Sequence, residues 1–221
     1  MPTRIKICCI SSLREAELAV ARGASALGLV SAMPSGPGVI DEALIAEIAA
    51  RVPPPVATFL LTSQTSAAAI IDQQRRCGTS VLQLCDYVDP AVHMELRREL
   101  PGIRLVQVIH VTTPDVVELA REVAPRVDAL LLDSGDTTLA VKQLGGTGRT
   151  HDWATSREIR DSVGIPLFLA GGLTPDNAAE AVRVVNPFGL DICSGVRTGG
   201  RLDEVKVSAV FSAVDSISSP N

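Results

Sequence analysis

At 221 residues, 46% of them hydrophobic but only 3% aromatic, the chain is long enough for one large α/β domain and too short for two, and its core must be aliphatic. Its net charge of −5, with no Lys/Arg cluster and no aromatic–basic interleaving, argues against a nucleic-acid partner. The start, MPTRIKICCI, is too short and too charged for a secretory signal, and no apolar run approaches the roughly 20 residues that span a bilayer, so a soluble, cytoplasmic protein is expected.

Short branched-apolar runs alternate with amphipathic stretches from end to end. Strands are expected over 4–9, 26–30, 56–61, 80–84, 103–109, 127–133, 167–170 and 189–193. Helices are expected near 12–22, 41–51, 65–76, 90–99, 114–123, 153–162, 175–185 and 203–214, where apolar positions recur three and four residues apart. Ser12 and Glu15 have capping-box spacing, and Pro114 and Pro175 sit where a first helical turn accepts proline.

Eight strand–helix units over 221 residues leave about 28 residues each, and unbroken alternation implies a parallel sheet. An open doubly wound sheet and a closed barrel compete. The count of eight and the lack of a GxGxxG after the first strand favour the barrel. The expectation is a single (βα)8 barrel, a TIM barrel with a parallel eight-stranded sheet, over residues 1–215, followed by a frayed tail over 216–221.

In such barrels the active site lies at the C-terminal strand ends, with phosphate commonly beside strands seven and eight. Cys8, at the end of the first strand, is a candidate general base, set against the tendency of cysteine simply to be buried. Strand alternation puts Cys9 on the opposite side, toward the helices or starting the loop. Asp133 follows the apolar run Ala129 to Leu132, a costly place for a carboxylate unless it is paired or used, and desolvation there suits a general acid. Asp128, Asp136 and Asp191 read as turn or capping residues. Gly145-Gly146-Thr-Gly148 in the long 134–152 connection reads as a plain loop or a lid. Gly171-Gly172 and Ser194-Gly195-Val196, after strands seven and eight, allow close backbone approach to an anion. Among the histidines, His93 reads as solvated, His110 as pocket or turn, and His151 as near a helix start. The five cysteines (Cys8, Cys9, Cys77, Cys85, Cys193) include no CxxC, and no spacing resembles a metal site.

Several stretches, in this order, resemble the phosphoribosylanthranilate isomerase family nearly end to end: Lys6-Ile-Cys8, Gln83-Leu84, Leu131-Leu-Asp133-Ser134, Gly145-Gly-Thr-Gly148 with Asp152-Trp153, Pro166 to Leu173 with Asn177, and Asp191 to Val196. The resemblance implies an Amadori rearrangement of N-(5-phosphoribosyl)anthranilate in tryptophan biosynthesis, without cofactor or metal. Asp133 would protonate the ring oxygen as the furanose opens, and Cys8 would then remove the C2′ proton. Gly145, Gly146, Gly171, Gly172, Ser194 and Gly195 would hold the phosphate, and Lys6, Gln83 and Arg197 would line the substrate pocket. The partner implied is a small phosphorylated substrate, with a monomer or a homodimer as the working unit.

The chain also departs from the family pattern. Cys9 stands where the family usually has Gly, and Pro34-Ser-Gly-Pro-Gly38 lacks the arginine that usually contacts the anthranilate carboxylate. Cys85-Asp86 replace His-Gly, Arg197 replaces a glutamate, and Leu202-Asp203 replace Lys-Asp. Losing a partly buried arginine–carboxylate contact costs on the order of 2–5 kcal/mol; Arg197 or Arg201 would compensate if the loop carrying it reached inward. Two readings follow: an isomerase of this family acting on the anthranilate substrate or a related phosphoribosyl amine, or a barrel that binds a phosphorylated metabolite without turnover.

Overall fold

Branched-apolar runs that alternate in facing give the barrel its two cores. The computed structural model describes residues 3–112, 115–135, 144 and 150–218. In chain order these form β1 (Arg4–Ile7), α1 (Leu13–Ala21), β2 (Ala26–Val30), α2 (Glu42–Arg51), β3 (Ala57–Thr62), α3 (Ala67–Cys77), β4 (Val81–Leu84) and α4 (Pro90–Glu99). Then come β5 (Arg104–His110), α5 (Val116–Val123), β6 (Ala129–Asp133), α6 (Trp153–Ser162), β7 (Leu167–Leu169), α7 (Ala178–Val185), β8 (Gly189–Ile192) and α8 (Glu204–Ser218). Each strand pairs in parallel with the next. β8 returns to β1 with Lys6 opposite Asp191 and Ile7 opposite Ile192, which closes the expected (βα)8 barrel.

Because successive strand side chains face opposite ways, Ile5, Ile7, Leu27, Leu29, Leu82, Leu130 and Leu132 point outward under the helices, while Ala26, Val30, Phe59, Val81, Val106, Leu131 and Phe168 fill the barrel. The same parity carries Lys6 and Cys8, Gln83, Asp133 and Asp191 to the interior, at or near the C-terminal strand ends. Phe168 stacks edge-on against Phe59 at 5.8 Å and floors the interior.

Helix starts follow local capping. Ser12 Oγ accepts from Glu15 N at 3.2 Å, Asp41 from Leu44 N at 2.7 Å, and Asp152 from Ala154 N at 3.0 Å. Three expectations shift. α7 begins at Ala178 rather than at Pro175, because Asn177 Oδ1 accepts from Thr174 N at 2.8 Å and its amide donates to Gly172 O at 3.0 Å, fixing a turn first. α8 runs to Ser218, so the boundary expected at 215 falls inside a helix, and residues 219–221 lie outside the described set, as does Pro114. His93, expected to be solvated, is buried on the α4 face it shares with Leu96, with Nε2 3.1 Å from Gln107 Oε1; burial pushes its pKa down.

Glu15 does more than cap. Its carboxylate takes both guanidinium nitrogens of Arg197 (3.0 and 3.1 Å), the Leu202 amide at 2.9 Å and the Ser11 amide at 3.0 Å, with Arg197 and Glu15 side chains 8% and 12% exposed. This ties the loop after β1 to the segment after β8. Burial alone would raise the Glu15 pKa, but Arg197 and the two amides outweigh it and hold the carboxyl below its ordinary value. A depressed carboxyl contributes stability that is present above its unfolded pKa, about 4.3, and is lost as pH falls through the folded value. Glu15→Ala, which strands a buried guanidinium, is expected to lose roughly 3–5 kcal/mol, a Tm drop on the order of 10 °C in thermal melts, and to show a smaller acid step than the parent. An unchanged Tm would contradict the clamp.

Candidate active site

The first strand brings a cation and a thiol to the same face, two residues apart. Lys6 has no solvent exposure. Its Nζ donates to Asp191 Oδ2 at 2.8 Å and Gln83 Oε1 at 3.0 Å, lies 3.8 Å from Cys8 Sγ, and sits 4.9 Å above the Phe59 ring. Burial alone would lower the Lys6 pKa; Asp191, and then the Cys8 thiol beside it, reverse that and drive it above its ordinary value. Cys8 continues the strand, its N–H bonded to Ile192 O at 2.8 Å. Gly28 on β2 leaves the space its thiol occupies: a Cβ there would stand 2.6 Å from Cys8 Sγ.

Asp133 ends β6, only 8% exposed. Burial pushes its pKa up, offset in part by the Ser134 N–H, 2.7 Å from Oδ1, and by His110, which stands opposite it in the β5–β6 register with Nε2 3.0 Å from Cys85 O. A carboxyl held toward its neutral form at the rim of a pocket is suited to give up a proton.

Cys8 and Asp133 line one cleft of about 650 Å³, counting the part open to solvent, together with Gln83, Asp191, Gly171, Gly172 and Ser194. Its other wall is Met33, Ser35, Gly36 and Pro37 from the loop after β2. The structure therefore brings together the expected acid and base and three of the residues expected at phosphate. Gly195 is placed differently: it packs on the Leu173 carbonyl, where a Cβ would stand 1.9 Å away, and is not among the lining residues. Gly145, Gly146, Gly148 and Asp136 lie outside the described residues. Among the described residues no group of three His, Cys, Asp or Glu side chains is arranged to hold a metal ion.

Three expectations need correction. Arg197 does not enter the pocket. Glu15 and the Cys8 and Cys9 carbonyls hold its guanidinium behind the β1 loop, where two carbonyls and a carboxylate offer a buried cation more than the cleft does. Lys6 is not a lining residue either; it lies beneath the cleft, spent on Asp191. Asp191 is not a turn residue: it sits inside the barrel, pairs with Lys6, and leaves Oδ1 without a hydrogen-bond partner. Its parity with Gly189 and Cys193 was the available signal. Among the described lining residues there is no arginine or lysine, Arg201 is exposed, and Asp86, outside the lining, binds the Tyr87 amide at 2.9 Å. His151 is the other histidine near this mouth. Its Nε2 lies 2.7 Å from Ser156 Oγ, and burial drives its pKa down to about 4.

A thiol and a buried carboxyl lining one cleft at the strand ends of a (βα)8 barrel are the arrangement of an enzyme site. A family model described as N-(5'phosphoribosyl)anthranilate (PRA) isomerase matches residues 5–213. N-(5'-phosphoribosyl)anthranilate isomerase 2 of Methanosarcina mazei is 37% identical, covering 92% of this chain and 90% of its own length, and the isomerase of Haloferax volcanii is 39% identical, covering 96% and 92%. The solved isomerase of Thermococcus kodakaraensis superposes with a TM-score of 0.81 at 28% identity, covering 96% and 98%. A solved isomerase in complex with reduced 1-(O-carboxyphenylamino)-1-deoxyribulose 5-phosphate gives 0.78 at 25%, covering 97% and 99%. The chain belongs to the N-(5'-phosphoribosyl)anthranilate isomerase family, enzymes of tryptophan biosynthesis.

Removing one member of a buried ion pair leaves the other uncompensated, whereas removing both does not. Lys6→Met and Asp191→Leu are each expected to cost about 3–5 kcal/mol in denaturant unfolding, and the double variant less than the sum by at least about 1 kcal/mol. Additive losses would show the pair to be uncoupled.

Proposed function

We propose that this enzyme isomerises N-(5'-phosphoribosyl)anthranilate with Asp133 as general acid and Cys8 as general base. The observation that carries this reading is the meeting of both groups in one cleft beside Gly171, Gly172 and Ser194. Asp133, kept toward its neutral form by burial, protonates the ring oxygen, and the C1′–O bond breaks to leave an iminium. Cys8 thiolate then takes the C2′ proton, and the electron pair moves to give an enolamine. Proton return to C1′ and loss of the enol proton yield the 1-deoxyribulose ketone. Atoms and electrons balance within the substrate, so the scheme draws on no redox partner.

The backbone at Gly171, Gly172 and Ser194 receives the phosphate, while Asp191 Oδ1 is placed to accept from a ribose hydroxyl. The analogue held by a solved relative, an aryl amine of deoxyribulose 5-phosphate, is of the chemistry this cleft would take. The anthranilate end falls to the lining that offers Met33, Ser35, Gly36 and Pro37. The non-catalytic alternative has only the missing arginine in its favour. The protein acts in the cytoplasm, as a monomer or a homodimer; one Thermotoga maritima relative is described as dimeric, and among the described residues no helix is long and apolar enough to cross a membrane.

Purified protein should consume phosphoribosyl anthranilate with loss of its fluorescence, and Cys8→Ser and Asp133→Asn should each lower kcat by roughly 10²–10⁴-fold. Retained turnover in either variant removes that residue from the mechanism. Since the acid works protonated and its pKa is raised, wild-type rate should fall as pH climbs through that value, a limb missing from the residual rate of Asp133→Asn. Gly28→Ala, whose methyl meets the Cys8 sulfur, should lower kcat more than it changes KM.

A further inference from the structure

The first strand ends in two consecutive thiols, and the isomerisation uses one. Cys9 is held at φ +60°, a backbone conformation that favours glycine. Its Cβ fills space left by Gly38, where an added Cβ would stand 2.5 Å away, and Arg197 donates to its carbonyl and to that of Cys8. A buried side chain kept in an unfavourable backbone conformation asks for a reason.

Cys193 supplies one. It follows β8, and since Ile7 lies opposite Ile192, the ends of β1 and β8 run side by side. The Cys9 thiol neighbours those of Cys193 and Cys8, and all three line the cleft. Cys193 is half-buried, Cys9 is 5% exposed, and neither is in a disulfide. The closeness of the two thiols separates their acidities. It drives the Cys9 pKa up, burial adding to the effect, and the Cys193 pKa down, with the Arg197 charge helping against burial. An accessible, more acidic thiol beside a second, protonated one is the arrangement of an attacking and a resolving cysteine.

We propose that Cys193 and Cys9 are a peroxide-sensitive thiol pair that closes to a disulfide at the rim of the cleft and switches the enzyme off reversibly. The Cys193 thiolate attacks one oxygen of hydrogen peroxide, the O–O bond breaks, and the departing hydroxide leaves as water after taking a proton. Sulfur is oxidised to the sulfenic acid and peroxide is reduced. Cys9 sulfur then attacks Cys193 sulfur, the S–S bond forms, the S–O bond breaks, and the oxygen leaves as a second water carrying the Cys9 proton. A thiol reductant reverses the change. Drawing Cys9 onto Cys193 shifts the backbone that carries Cys8, whose sulfur occupies the space a side chain at Gly28 would take.

The test treats the native protein with hydrogen peroxide and reads mass, cross-link and activity together. Expected are a mass loss of about 2 Da, disappearance of two of the five free thiols, a peptide joining Cys9 to Cys193, and at least a tenfold fall in turnover that dithiothreitol restores. Cys193→Ser and Cys9→Gly, each compared with its own untreated sample, should keep their activity at that dose, and Cys193→Ala serves if the serine variant folds poorly. The switch of activity rests on the isomerase reading, but the cross-link does not, so a protein without turnover still decides the pair by mass. A link from Cys9 to Cys8, no cross-link at all, or equal peroxide sensitivity in Cys193→Ser would overturn the proposal.

Discussion

The Lys6–Asp191 ion pair is the constraint on which the mouth of the barrel depends. At 2.8 Å and almost without exposure, it bridges the two strands whose pairing closes the sheet. Taking two charges out of water is expensive, and the geometry repays it only because Gln83 and the Phe59 ring satisfy the rest of the ammonium. Both ends of the pair touch the chemistry. Lys6 stands beside the Cys8 sulfur, and Asp191 reaches the cleft with one oxygen still free for a ligand. The cation is thereby committed, and among the described lining residues there is no lysine or arginine.

A second buried pair, Glu15–Arg197, does the corresponding work outside the barrel. It fixes the backbone at Cys8 and the left-handed Cys9, and so sets where the Cys8 thiol points. Since that guanidinium is turned away from the cleft, it does not replace the arginine missing after β2. On the proposed reading, chemistry and phosphate binding sit on strand ends typical of the fold, while the aryl end meets a neutral wall. The rate-determining groups and the groups that recognise the ring are thus carried by different elements.

Much of this was legible in the sequence. Eight apolar runs at a near-constant interval pointed to the closed barrel, and the positions of Cys8 and Asp133 at strand ends put them on one face of it. What could not be read depended on partners far along the chain. Asp191 looks like a turn residue until Lys6, 185 positions earlier, is known to lie opposite it. Arg197 looks like a pocket cation until Glu15, 182 positions earlier, is seen to hold it. His93 reads as solvated for a local reason: charged neighbours mask the apolar stripe that it shares with Leu96. The left-handed turn at Cys9 has no marker, because the residue that normally signals it is absent.

The central claim is that the Cys8 sulfur removes the C2′ proton in this cleft. It is tested most directly with phosphoribosyl anthranilate carrying deuterium at C2′, followed by mass spectrometry of product formed in ordinary water. Expected are a primary isotope effect and release of label to solvent by the wild-type protein, with turnover and label release both lowered by roughly 10²–10⁴-fold in Cys8→Ser. Label release from Cys8→Ser at the wild-type rate would place the base elsewhere.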